Sequence, residues 1–96
     1  MPTMRLRLEP TYHKQGFFNV PVDYERFVAL DDGPIEIYLE NSGDPIEGRI
    51  DRKANRNGTP RIHGRKALRE YFQHLRVGST LNVKFDTSTS IHISAR

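Results

Sequence analysis

The sequence predicts a mainly β domain of the α+β kind, with about seven short strands closed or nearly closed into a barrel and two short helices inserted. Three observations predict it. Apolar and polar residues alternate with a period of two in most segments between turn signals. The connections are short, which favours antiparallel pairing. The strand–helix alternation of a doubly wound sheet is missing. A chain of 96 residues makes one domain, spanning 1–96, and buries roughly 60–70% of its unfolded surface, enough for one modest core.

Each element has a local reason. "MRLRL" alternates Arg with Leu and predicts a half-buried strand. "EPTYHKQG" holds Pro10 and Gly16 and is expected to be a loop. "GFFNVP" resumes a strand and stops at Pro21. "VDYERFVAL" predicts a short helix, with Asp23 as its cap and Phe27 and Leu30 turned inward. "DDG" ends it. "PIEIYLE" is the clearest strand, with Ile35, Ile37 and Leu39 alternating against Glu36, Tyr38 and Glu40. "PIEGRIDRKA" follows the "NSGD" turn, and Gly48 inside it marks a bulge or a close backbone approach. "NRNG" is a hairpin turn and "TPRIHG" the returning strand. "RKALREYFQHL" predicts a helix because Leu68, Tyr71, Phe72 and Leu75 form a single apolar stripe. "TLNVKF" and "SIHISA" alternate again and close the chain as two strands.

Charge is localised. Residues 48–66 carry Arg49, Arg52, Lys53, Arg56, Arg61, Arg65 and Lys66 against Asp51, a net +6, whereas the whole chain nets +3 and the remainder therefore −3. A basic patch on a nearly neutral body suits a polyanionic partner at one face. The plain alternative is a solvated hairpin. Cys is absent, which excludes disulfides and Cys-based metal sites and fits a reducing cytoplasm. Met1 leads into "PTMRLRLEP" without a long apolar run, so neither a signal peptide nor a membrane span is expected.

Enzyme motifs are missing. No P-loop, Rossmann glycine pattern, G-x-S-x-G or zinc spacing occurs. His13, His63, His74 and His92 show no spacing that would pair two of them for acid–base work, and they are taken as structural or surface residues. No catalytic residue, metal ligand or cofactor is expected.

The stretches "GFFNVPVDYERFVAL" and "EGRIDRKANRNGTPRIHGRKALREYFQHLRVGSTLNVKF" resemble the B3-like DNA-binding pseudobarrel, a family that includes plant B3 transcription-factor domains and effector domains of restriction endonucleases. The likeness covers roughly residues 5–94. Arg65 follows Gly64 where plant members carry Trp, and Ser79 stands where an acid is common, which points away from the plant branch toward a prokaryotic or restriction-effector-like member. The resemblance implies an open pseudobarrel that grips duplex DNA in the major groove with two arms. The first arm maps to Tyr12, His13, Lys14 and Gln15. The second maps to Arg52, Lys53, Asn55, Arg56, Asn57 and Arg61, with Arg49 at its base. Arg52, Lys53 and Arg56 are expected near an exposed tip, replaceable together without harm to the fold.

Residue chemistry sorts these roles. Lys and Arg neutralise phosphates, whereas Arg on guanine and Asn or Gln on adenine read base edges. Each has a plainer role beside it. Asn57 serves the turn backbone, Arg49 and Arg61 flank strand ends or pair with Glu47 and Asp51, Tyr12 packs on the barrel, and Gln15 closes its loop. The function expected is a non-catalytic, sequence-specific double-stranded DNA-binding domain, a regulator or a restriction-effector-like module, with a nuclease or methyltransferase as partner or fusion. It would be cytoplasmic, at the nucleoid in a bacterium or in the nucleus of a plant. The alternatives are an RNA-binding small β-barrel and a protein-interaction module for an acidic partner.

Overall fold

A computed structural model of the chain describes residues 2–95. Strand β1 (Thr3–Arg7) buries Met4 and Leu6 and exposes Thr3, Arg5 and Arg7, as its period-two pattern requires. The next segment departs from expectation. Residues Pro10–Gln15 form a short helix, α1, rather than a loop. Pro10 sits at its start, where no N–H is needed. Gly16 closes it in the left-handed region (φ 75°), its N–H donating to Tyr12 O at 2.8 Å. A Cβ on Gly16 would lie 2.7 Å from Arg65 O and from Arg69 Cβ, so the glycine also lets the two helices meet.

β2 (Phe17–Asn19) leads through Pro21 into a 3-10 turn at Val22–Phe27. Asp23 makes no side-chain cap there, and Pro21 holds the cap position. Phe27 packs on Phe85 with ring centroids 5.8 Å apart. Leu30, expected inside, is 83% exposed because the helical turn ends before it. β3 (Gly33–Leu39) and β4 (Ile46–Asp51) pair without a register break, so Gly48 is not a bulge. It is a close approach: a Cβ there would stand 2.5 Å from Ile37 Cδ1. β5 (Arg61–His63) returns only after the long loop 52–60, not after a tight two-residue turn.

Helix α2 (Arg65–Gln73) turns Leu68 and Phe72 fully inward, with Tyr71 and Leu75 packed at the margin of the core. β6 (Thr80–Thr87) and β7 (Ser90–Ala95) complete a seven-stranded sheet in the order β1-β6-β7-β3-β4-β5-β2. All neighbours run antiparallel except β3 and β7, which are parallel. The sheet curls into an open half-barrel around a core that includes Phe18, Ile37, Ile62, Phe72 and Ile93. The fold is mainly β, with two α-helices and one 3-10 turn among the described residues.

The sheet order leaves β1 and β2 as its two edges, and their hydrogen bonds show which backbone groups face the opening. Leu8 N donates to Ser79 O (2.8 Å) and Phe85 N to Pro2 O (2.9 Å), so even-numbered residues serve β6. Thr3, Arg5 and Arg7 therefore turn their backbone groups to the opening. On the other edge Val20 N donates to Pro60 O at 2.8 Å, which leaves Asn19 facing out. No helix among the described residues is long and apolar enough to cross a membrane.

Candidate nucleic-acid interface

A groove of about 750 Å³ runs beside these edges, between β1, the exit of β2 and the tip of loop 52–60. Buried Met4, Leu6 and Val20 form its floor. Its polar walls bring together Arg5, Arg7, Tyr12, Asn19, Arg56 and Asn57, with Glu9 as the one acid among the described residues. Glu9 stands 3.9 Å from Arg7 Nε, a loose and exposed pair of little energetic weight. Three arginines therefore face one carboxylate.

One residue joins the walls. Asn19 Oδ1 accepts from Asn55 Nδ2 and from Arg61 Nε, each at 3.0 Å. The Asn19 backbone N–H, left free by the sheet, donates to Tyr12 Oη at 3.3 Å. Tyr12 itself leans edge-on against Phe17, ring centroids 5.5 Å apart. Helix α1, the sheet edge and the loop thus meet at a single asparagine.

The loop is held from inside. Asn55 Nδ2 also donates to Thr59 O (3.1 Å), and Asn55 Oδ1 accepts from Arg61 Nη2 at 3.4 Å. Arg61 lies over the Phe17 ring at 4.3 Å, a cation–π contact. Asn57 Oδ1 accepts from Thr59 N (3.2 Å) and Thr59 Oγ1 (2.7 Å), the turn-building role expected of it. Asp51 Oδ1 accepts from Lys53 N (2.8 Å) and Ala54 N (3.1 Å). The Lys53 bond above all, helped by Ala54 and by His63 3.6 Å away, holds the Asp51 carboxyl below its ordinary pKa against the opposing effect of desolvation.

Arg52 corrects the sequence expectation most directly. It is not at an exposed tip; its side chain is 15% exposed. Nε donates to Ala29 O (2.9 Å), and Nη2 to Val28 O (2.9 Å) and Glu25 O (3.0 Å). Nη1 reaches Glu25 Oε2 and Gly58 O, both at 3.3 Å. Every arm of the guanidinium is committed to the chain, so Arg52 staples the loop to residues 25–29. Asp32, in the "DDG" turn, takes Arg52 N at 2.8 Å and secures the same junction.

The expected residues separate into groups. Tyr12, Asn55, Arg56 and Asn57 line the groove, although Asn55 is spent on holding the loop. Lys53 is exposed on the same loop beyond the groove wall. His13 Nε2 meets Leu75 O at 3.0 Å and ties α1 to the segment just after α2. Lys14 and Gln15 are exposed at the end of α1 that faces the first turns of α2, outside the groove. Arg49 lines a separate groove of about 800 Å³ with Asp31, Asp32, Glu36, Glu47 and Arg65. Arg61 pairs with two asparagines rather than with Asp51, which takes His63 instead. Sequence reasoning passed over Arg5, Arg7 and Asn19. The signal for the arginines was the outward half of the "MRLRL" alternation.

No protein-family model matches the chain, and no curated protein matches it. The functional reading therefore rests on the chemistry of the groove. Arginines over an apolar floor, beside a loop pinned by asparagines, form a cationic trough. Its charge is complementary to a polyanion. Among the described residues no group of three His, Cys, Asp or Glu is arranged to hold a metal ion.

Proposed function

We propose that the chain is a non-catalytic double-stranded DNA-binding domain of the B3-like kind, a regulator or restriction-effector-like module that reads sequence in the major groove. The observation that carries this reading is the meeting of Arg5, Arg7 and Arg56 in one groove at the open edges of the half-barrel. The loop 52–60 projects as one wall, held by Arg52 and Asn55 so that little ordering remains on binding. Of the first arm, Tyr12 alone lines the facing side. Phosphates offset the charge of Arg5 and Arg7, and the loop tip with Arg56 enters the major groove. Three histidines are engaged in structural contacts: His13 with Leu75 O, His63 with Asp51, His92 with Glu40 O.

The test is selection from a random duplex pool at several salt concentrations, with single-stranded RNA as competitor. The expected result is a discrete DNA motif and affinity that falls steeply with salt. Salt-sensitive binding without a motif reduces the chain to a general polyanion binder. Preference for the RNA overturns the duplex reading.

A further inference from the structure

We infer that the tip of loop 52–60 reads guanine, because its outward side chains offer hydrogen-bond donors and no free acceptor. This rests on the proposed duplex binding and names what the loop recognises there. The asparagine orientations are fixed by chemistry, since a backbone N–H only donates and a backbone carbonyl only accepts. Asn57 Oδ1 accepts from Thr59 N, so its Nδ2 points away from the turn. Thr59 Oγ1 also donates to Asn57 Oδ1, and both lone pairs of that oxygen are used. Asn55 Nδ2 donates to Thr59 O, and its Oδ1 is taken by Arg61, so neither end faces out. Asn19 Oδ1 accepts two donors.

The outward side chains of the tip are therefore Lys53, Arg56 and the Nδ2 of Asn57, for which no partner exists among the described residues. All three only donate. In the major groove guanine presents two acceptors, O6 and N7. Adenine pairs an acceptor with a donor, and cytosine presents a donor. An asparagine reads adenine by accepting from N6 while donating to N7, and Asn57 cannot, because its oxygen belongs to the turn. Cytosine N4 meets no acceptor on these side chains. Thymine offers a single acceptor beside its methyl group. Guanine alone satisfies two donors at once, and Arg56 has the forked geometry for it.

The experiment uses the full chain and the duplex motif recovered from the random pool. Each guanine is replaced in turn by 7-deazaguanine, which lacks N7, and by inosine, which keeps N7 and O6. At one or more positions 7-deazaguanine should weaken binding about tenfold, while inosine leaves it unchanged. Arg56→Ala should remove the difference between guanine and 7-deazaguanine, with the melting temperature unaltered. A motif without guanine, or one indifferent to 7-deazaguanine throughout, overturns the inference and leaves duplex binding standing. Recovery of no motif overturns both.

Discussion

Arg52 and Arg56 stand four residues apart in the same basic run and have opposite roles. Arg52 satisfies three backbone carbonyls of residues 25–29 and one at Gly58, whereas Arg56 is exposed. Arg52→Ala leaves those part-buried acceptors and Glu25 without their cation, and should destabilise the fold by about 3 kcal/mol. Arg56→Ala should change stability by no more than about 0.5 kcal/mol. Urea unfolding monitored by circular dichroism separates the two, and equal midpoints would contradict the staple. The sequence showed the charges but not this division, because an arginine's partners here are carbonyls distant in sequence. Tyr71 gives a second test. It donates to the Glu40 carboxylate, which also accepts from Ala95 N at 2.7 Å. Burial first, then Glu40, raises its pKa above the ordinary 10.0. The folded state thus favours the neutral phenol. This contribution is fully present below pH 10 and is lost as the pH rises beyond it toward the folded value. Stability measured from pH 7 to 11 should fall more steeply in the wild type than in Tyr71→Phe; parallel curves would show that the hydroxyl adds nothing.

Helix α1 shows why short elements escape a sequence pattern. It spans one and a half turns or so, buries no residue fully and carries no apolar stripe. Pro10 and Gly16 read as breakers, yet here they are its first residue and its cap. α2 was legible because Leu68 and Phe72 define a face that the barrel covers. The strands were legible for the same reason, each alternation having one side in the core. What a pattern does not carry is which edge ends up beside which loop, and so the groove and Asn19 went unseen. Asn19 links β2 to α1 through Tyr12 and to the loop through Asn55 and Arg61. Asn19→Ala removes the shared acceptor, while Asn19→Asp keeps it. Amide hydrogen exchange at residues 55–59 should accelerate in the first variant and stay near wild type in the second. Equal protection in all three would mean that Asn19 does not hold the loop.

The placement of charge over the half-barrel follows from its open edges. A closed barrel would pair β1 with β2 and leave no trough; here Tyr12 Oη takes the outward N–H of Asn19, a donor that such pairing would otherwise use. The parallel pairing of β3 with β7 sets this geometry. It places the β6–β7 pair beside β3 and carries β1 along on β6, round to the side where loop 52–60 emerges. Nothing local in either strand announces that pairing, because a parallel partner is chosen by the path of the whole chain. The consequence is that the cations of residues 48–66 do not act as one patch. Arg52 and Arg61 are internal, Arg49 and Arg65 line the acidic groove, and Arg56 joins Arg5 and Arg7 from the far end of the sequence. Duplex affinity should therefore depend on three arginines drawn from two distant segments. Replacing Arg5, Arg7 and Arg56 together with Ala should flatten the dependence of log affinity on log salt by up to about 0.9 for each phosphate that is no longer neutralised. Replacing Arg49, Arg65 and Lys66 should leave that slope unaltered, although their formal charge is the same. Fluorescence anisotropy titrations across salt concentrations read both slopes. If the second set flattens the slope and the first does not, the duplex lies on the other face and the open trough is not its seat.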